Sequence, residues 1–259
     1  MNAVNVVNAD EDGAGREGSV ARAFVALADT LVDEYDMLDL LDRLVNVSVH
    51  LLAADAAGIV LADPRGQLTV VAASSDAAKL LEVLQLQNEQ GPCLEAYRSG
   101  EPVSVPDLHE VAARWPNFTA AVASLSDISS VHALPMRLRG QAIGALNLFH
   151  RTPGPLPPAD LALGQALADV ATIGILQERA IRRAEVVAEQ LQTALTSRVI
   201  IEQAKGVLAH YGDLSMDVAF DQLRTYARSH NDRLTEVARR LVEHALPPAE
   251  VIAAGDRRA

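Results

Sequence analysis

A chain of 259 residues, 49% hydrophobic and 22% charged, is long enough for one large or two modest domains and too apolar to be disordered throughout. It has no run of eighteen uncharged apolar residues, and Asp10, Glu11 and Asp12 stand where a secretory leader would be basic and then apolar, so neither a membrane span nor a signal peptide is expected. The net charge of −12 argues against general polyanion binding, but it is uneven: residues 1–195 hold 13 Lys or Arg against 25 Asp or Glu, while 196–246 hold 7 of each.

Residues 1–18 are rich in Asn, Asp, Gly and Glu without apolar periodicity and are expected to form a disordered segment. From 20 to 52, Phe24, Leu27, Leu31, Leu38, Leu41, Leu44 and Val45 recur at helical spacing. Strand-like runs at 57–62 and 68–73 are joined by Asp63-Pro64-Arg65-Gly66, which is turn chemistry, so they read as a hairpin. A helix over 77–87 is broken by Gly91-Pro92, and a short helix (94–98), a short strand (102–105) and a helix (115–125) follow. Two strands, 129–138 and 141–149, flank Arg139-Gly140. Helices around a mostly antiparallel sheet predict an α+β fold with room for a ligand between sheet and loops.

The next stretch is one long helical pattern. Leu163, Leu167, Val170, Gly174, Gln177, Ile181, Ala184, Ala188, Leu191 and Leu195 alternate steps of four and three, the seam of a coiled coil, and a homodimer is expected. Packing of 161–175 on its own domain is the competing reading for the first part of the seam.

Three amphipathic segments then form a bundle over 198–246. The first turns Ile201, Ala204, Leu208 and Tyr211 to one face and Arg198, Glu202 and Lys205 to the other, and Gly212-Asp213 stops it. Ser215 caps the second, which is expected to bury Met216, Ala219, Phe220, Leu223 and Ala227 and to expose Asp217, Asp221, Arg224 and Arg228. Asn231 or Asp232 caps the third, whose apolar face is Leu234, Val237, Ala238, Leu241, Val242 and Ala245, before Pro247-Pro248 ends it and leaves 247–259 as a flexible tail.

Few residues suggest chemistry. Cys93, the single cysteine, excludes a disulfide framework and suits a reducing, cytoplasmic setting; at a helix start its thiol could be acidified, although a small core residue is the plainer reading. His132 shares a strand face with Ser130, Leu134 and Met136 and, with Trp115, Phe118 and Cys93, is a candidate to line a ligand pocket; core packing accounts for each equally well. No phosphate loop, metal-spaced His cluster or Ser-His-Asp order occurs, so no catalytic residue, metal or cofactor is predicted. On the C-terminal bundle, Arg198, Lys205, Arg224 and Arg228 could contact phosphate or bases, or could simply pair with Glu202 and Asp221 on a solvated face.

Two resemblances extend this reading. Arg198-Val199-Ile200-Ile201-Glu202-Gln203-Ala204-Lys205-Gly206-Val207-Leu208, then Ala219-Phe220-Asp221-Gln222-Leu223-Arg224-Thr225-Tyr226-Ala227, then Leu234-Thr235-Glu236-Val237-Ala238 resembles an ANTAR domain. The resemblance implies a transcription antitermination regulator that binds RNA hairpins, and it places Lys205 and Arg224 at positions fixed by the family's motif, with Arg198 and Arg228 assisting. Gln90-Gly91-Pro92-Cys93-Leu94-Glu95-Ala96, Gly100-Glu101-Pro102-Val103-Ser104-Val105-Pro106-Asp107-Leu108, Arg114-Trp115-Pro116-Asn117-Phe118 and Gly144-Ala145-Leu146-Asn147-Leu148 resemble the GAF domains that precede ANTAR domains. Ser124-Leu125-Ser126-Asp127-Ile128 departs from that pattern where a glycine turn is usual, so the ligand is not carried over.

The implied order is a GAF sensor over 19–178, a coiled-coil signalling helix over 179–197 and an ANTAR RNA-binding domain over 198–246. The expected partners are tandem RNA hairpin loops, a small-molecule or protein signal, and a second copy of the chain. A sensory adaptor contacting protein, a regulator reading duplex DNA and an enzyme using Cys93 are the competing readings.

Overall fold

The computed structural model describes residues 4–29 and 37–256 and divides into two compact units, Met1–Ala180 and Ile181–Ala259. The first unit opens with helices α1 (Val4–Asp29) and α2 (Met37–Leu51) and the hairpin β1 (Ala56–Ala62) and β2 (Leu68–Ala73). Helices α3 (Asp76–Asn88) and α4 (Pro92–Ser99), strand β3 (Val103–Val105), helix α5 (Pro116–Leu125), and strands β4 (Ser130–Leu138) and β5 (Gln141–His150) follow. Helix α6 (Pro158–Gly212) begins in this unit and ends in the second.

The five strands form one sheet in the order β2-β1-β5-β4-β3, with every pair antiparallel. Arg139 and Gly140 join β4 to β5 with φ of 51° and 84°, the double left-handed geometry that matches the twist of a tight hairpin. Strand β1 is buried along its whole length because both faces of the sheet are covered. On one face Leu40, Leu41 and Leu44 of α2 and Leu167, Ala171 and Ile175 of α6 meet Ile59, Leu134, Met136 and Leu148. On the other, Ala78 and Leu81 of α3 and Phe118 and Val122 of α5 meet Val131 and Phe149. By length and composition α6 could cross a membrane, but its first turns supply core residues to this sheet.

Residues 4–18, expected as a disordered segment, lie within the bounds of α1. Arg16 pairs with Asp160 and donates to the Leu51 carbonyl, and Ala23 and Leu27 are buried. A helix nucleated by such packing extends at one hydrogen bond per added residue, so poor composition alone does not stop it. Leu31 lies outside the described residues.

The second unit comprises the end of α6, α7 (Met216–Ser229), α8 (Leu234–Val242) and α9 (Pro248–Asp256) around Ala204, Leu208, Ala219, Leu223, Tyr226, Ala227, Val237, Ala238, Leu241, Leu246 and Val251. The Ser215 hydroxyl accepts from the Val218 amide, as an N-cap should. The three helices expected over 198–246 are present, and α9, within 247–259, adds a fourth to the core. Proline blocks the interior of a helix but suits its first position, so Pro248 starts α9, after α8 has ended at Val242. Arg233, in place of Asn231 or Asp232, stands at the N-cap position of α8 without a side-chain capping hydrogen bond, while Asp232 pairs with Arg240 at 3.2 Å. Tyr211 and Met216 are exposed: Gly212 takes the inward position against Ile252 that Tyr211 was expected to fill.

No residue from Ile181 to Leu195 is buried, and Ile181, Leu191 and Leu195 are 52%, 60% and 59% exposed. The expected seam therefore splits. Leu167 is used within the first unit, Gln177 faces outward, and the stripe from Ile181 to Leu195 has no cover among the described residues.

Candidate functional site

The four expected ligand residues do not converge. Trp115 and Phe118 pack with Val131 and Phe149 beneath α3 and α5. His132 lies one residue out of phase with Val131, on the opposite face of the sheet with Leu134 and Met136. Its Nδ1 is 2.7 Å from the Ser104 hydroxyl on the paired position of β3, and its ring meets His150 edge-on at 5.4 Å. Burial, reinforced by His150, holds the His132 pKa down to about 4, so this imidazole is neutral at physiological pH.

Cys93 is fully buried beside Val60 and Ala145. The plainer reading, a small core residue, describes it, and the acidified thiol that a helix start could give is absent, because burial, with the Glu82 carboxyl nearby, pushes its pKa well above the ordinary range. Native protein is expected to react with a thiol reagent at least a hundredfold more slowly than protein unfolded in urea, and Cys93→Ser is expected to leave ligand-free folding and nucleic-acid binding unchanged. Fast labelling of the folded chain would contradict this.

The residue that sequence reasoning missed is Glu82 of α3, which is completely buried. Asn147 Nδ2 donates to its Oε1 at 2.7 Å and Gln85 Nε2 to its Oε2 at 3.2 Å, while Gln85 Oε1 accepts from the Cys93 amide at 2.9 Å. Burial pushes the Glu82 pKa from 4.5 to about 8, with the Asn147 hydrogen bond opposing the shift. Glycine makes the space: a Cβ on Gly58 would stand 2.4 Å from Glu82 Oε1, and one on Gly91 2.5 Å from Gln85 Oε1. The space between α3, α4 and the sheet is therefore filled by the chain's own polar side chains.

An open cavity lies instead beside α5. It has a volume of about 480 Å³ and is lined by Leu108, Pro116, Ala120, Val122 and Ile128, with His109, Thr119, Ser126 and Asp127 supplying polar groups. Its rim includes Ser126, Asp127 and Ile128, part of the stretch in which the sequence departs from the GAF pattern. None of Cys93, Trp115, Phe118 and His132 lines it.

In the second unit Lys205 is not on a freely solvated face. Its Nζ lies 3.0 Å from a Glu202 carboxylate oxygen and 5.6 Å from the centre of the Phe220 ring, and its side chain is only 14% exposed. Phe220, Arg224 and Arg228 follow at steps of four along α7, so both arginines continue the row from the ring that Lys205 covers. Arg224 and Arg228 are exposed and, like Arg198, form no ion pair among the described residues. Those three guanidinium groups are available to an anionic partner without breaking an internal pair, whereas Lys205 must first leave Glu202. No cluster of metal-ligating side chains occurs among the described residues.

Comparison with known proteins agrees with this division. The GAF domain family matches residues 34–176, and the ANTAR domain family matches 189–242. No curated protein matches the chain. Among solved structures, the GAF domain of a phosphoenolpyruvate-protein phosphotransferase from Coxiella burnetii is similar at 16% identity and a TM-score of 0.52, over 64% of this chain and 97% of that one. The corresponding GAF domain from Acinetobacter is also similar (16% identity, TM-score 0.49, covering 63% and 94% of the two chains). Free methionine-R-sulfoxide reductase from Neisseria meningitidis is similar too (18% identity, TM-score 0.49, covering 64% and 91%). The two family matches, over 34–176 and 189–242, show that the chain belongs to the GAF domain family and carries an ANTAR domain after it, as a signal-regulated protein of the ANTAR type.

Proposed function

We propose that this chain is a cytoplasmic, signal-responsive transcription antitermination regulator that binds RNA hairpin loops through its ANTAR domain under the control of its GAF domain. The observation that carries the reading is the row along α7, where Arg224 and Arg228, exposed and without an ion pair among the described residues, extend from the Lys205–Phe220 contact in a domain of the ANTAR family. Balanced charge over 196–246 predicts weak binding to arbitrary polymer, so affinity must come from shape and from bases. Hairpin loops meet that need because their unstacked bases expose edges that an A-form stem hides.

The signal is a small molecule at the sensor, and the cavity beside α5 is the place open to one. The exposed stripe from Ile181 to Leu195 pairs two chains, which presents two ANTAR domains to two hairpins.

Fluorescence anisotropy with an RNA of two adjacent hairpins tests the reading. The tandem RNA is expected to bind far more tightly than one hairpin or duplex DNA, and Lys205→Ala with Arg224→Ala to weaken binding at least tenfold. Equal affinity for duplex DNA would favour a groove-reading regulator. Loss of all nucleic-acid binding in folded protein, with and without the GAF domain's residues, would favour an adaptor that contacts protein.

A further inference from the structure

We infer that the polar groove between α6 and α8 takes an unpaired nucleotide of the RNA by its ribose and phosphodiester, an inference that rests on the RNA-binding reading above. The groove has a volume of about 470 Å³, within the range of sites that hold small polar ligands. Its α6 wall is Gln192, Thr193, Thr196, Ser197 and Ile200, and its α8 wall is Arg233, Thr235, Glu236 and Arg239. Four of these residues carry hydroxyls, which both donate and accept, as recognition of a ribose 2′-hydroxyl and base edges requires.

The charges are also suited to one phosphate. Glu236 is the single acid in the lining, and Arg239 pairs with it at 3.3 Å. Arg233 forms no ion pair among the described residues, so the lining keeps one uncommitted guanidinium, the group that grips phosphate through two parallel hydrogen bonds. Ile200 is the one apolar lining residue and offers the sugar or base an apolar contact. At about 100° per residue, the groove side of α6 lies roughly 140° round the helix from the stripe of Ile181, Leu191 and Leu195. A second chain on that stripe leaves the groove open. The site differs from the Lys205–Arg224 row in lying against α8, so it adds a contact that the ANTAR motif positions do not account for.

The test uses the full chain and the labelled tandem-hairpin RNA across a salt series. Arg233→Ala is expected to weaken binding about tenfold and to lower the slope of log Kd against log salt by roughly 0.7–0.9, the value for one lost phosphate contact. Arg233→Lys is expected to restore the salt slope but only part of the affinity. Thr196→Phe, which fills the groove without changing charge, is expected to weaken binding by a similar factor at an unchanged slope. If wild type binds and Thr196→Phe binds equally well in protein with a native circular dichroism spectrum, the groove is not the site, whatever Arg233→Ala does. If wild type binds no RNA, the antiterminator reading falls and this inference with it.

Discussion

Glu82→Gln is expected to stabilise the sensor unit by up to about 4 kcal/mol at pH 7.5 and to remove most of the dependence of its stability on pH between roughly 5 and 8. In the folded chain Glu82 holds its proton up to about pH 8, whereas in the unfolded chain it ionises near 4.5. Its favourable contribution is thus complete below the unfolded value and is lost progressively as pH rises toward the folded one, after which no further loss occurs. The wild type should therefore lose up to about 1.4 kcal/mol of stability per pH unit across that window on account of this one residue. Glutamine has the same shape and no charge to lose. Its NH2 replaces one of the two oxygens that accept from Asn147 and Gln85, and a turn of the Asn147 amide lets Oδ1, which is buried and has no partner among the described residues, accept from it instead. Urea unfolding followed through Trp115, the single tryptophan, reports on this unit alone because Trp115 lies in the core beneath α5. Parallel pH profiles for wild type and variant would mean that Glu82 is solvated and that the network around it does not hold.

Most of the fold could be read from the chain because local signals and tertiary environment agree over most of its length. The hairpin turn Asp63-Pro64-Arg65-Gly66 separates two strands whose observed bounds match the expected runs to within a residue, and Arg139-Gly140 does the same for β4 and β5. Alternation and turn chemistry act on the same residues there. The misreadings fall where a distant contact overrides local composition. Segment 4–18 looks polar and glycine-bearing, yet α1 is anchored from Arg16 onward by contacts to residues 51 and 160. Pro247-Pro248 reads as a stop, but Val251 is fully buried in the second core and Pro248 is at a position that proline favours.

Positions along one strand or helix were legible, and positions across the sheet were not. His132 could be placed on a strand face from period two, but nothing in the sequence says that Trp115 and Phe118 cover the other face. Glu82 falls at a solvent-compatible spacing in a helix that reads as ordinary, so its burial was invisible in α3 alone. A signal existed on the partner strands: Gly58 and Asn147 interrupt otherwise apolar runs at paired positions of β1 and β5. A glycine opposite an asparagine within a doubly covered sheet marks a polar group approaching from the facing helix. Likewise Lys205 was legible as a motif position, while its contact with Phe220 depends on the packing of α6 against α7.

The stripe on α6 supports the second large effect. Leu191→Lys with Leu195→Lys is expected to convert the protein from dimer to monomer at micromolar concentration and to reduce its affinity for the tandem hairpin a hundredfold or more. Both leucines are about 60% exposed in the single chain, so replacing them removes little packing within it, and its stability should move by less than about 1 kcal/mol. In a paired coiled coil the same two positions are successive core layers, where four lysines would be buried against one another, so association rather than folding takes the whole effect. Linked binding then fixes the expected pattern for RNA. Each ANTAR domain keeps Arg224, Arg228 and its Lys205–Phe220 contact, so the affinity for one hairpin should stay within about twofold of wild type. Only the advantage of tandem over single hairpin disappears, because the second contact is no longer intramolecular. Light scattering gives the mass, and the two RNAs measured side by side give the ratio. A variant that stays dimeric would place the interface elsewhere, and a monomer that still prefers the tandem RNA would mean that one chain reads both hairpins.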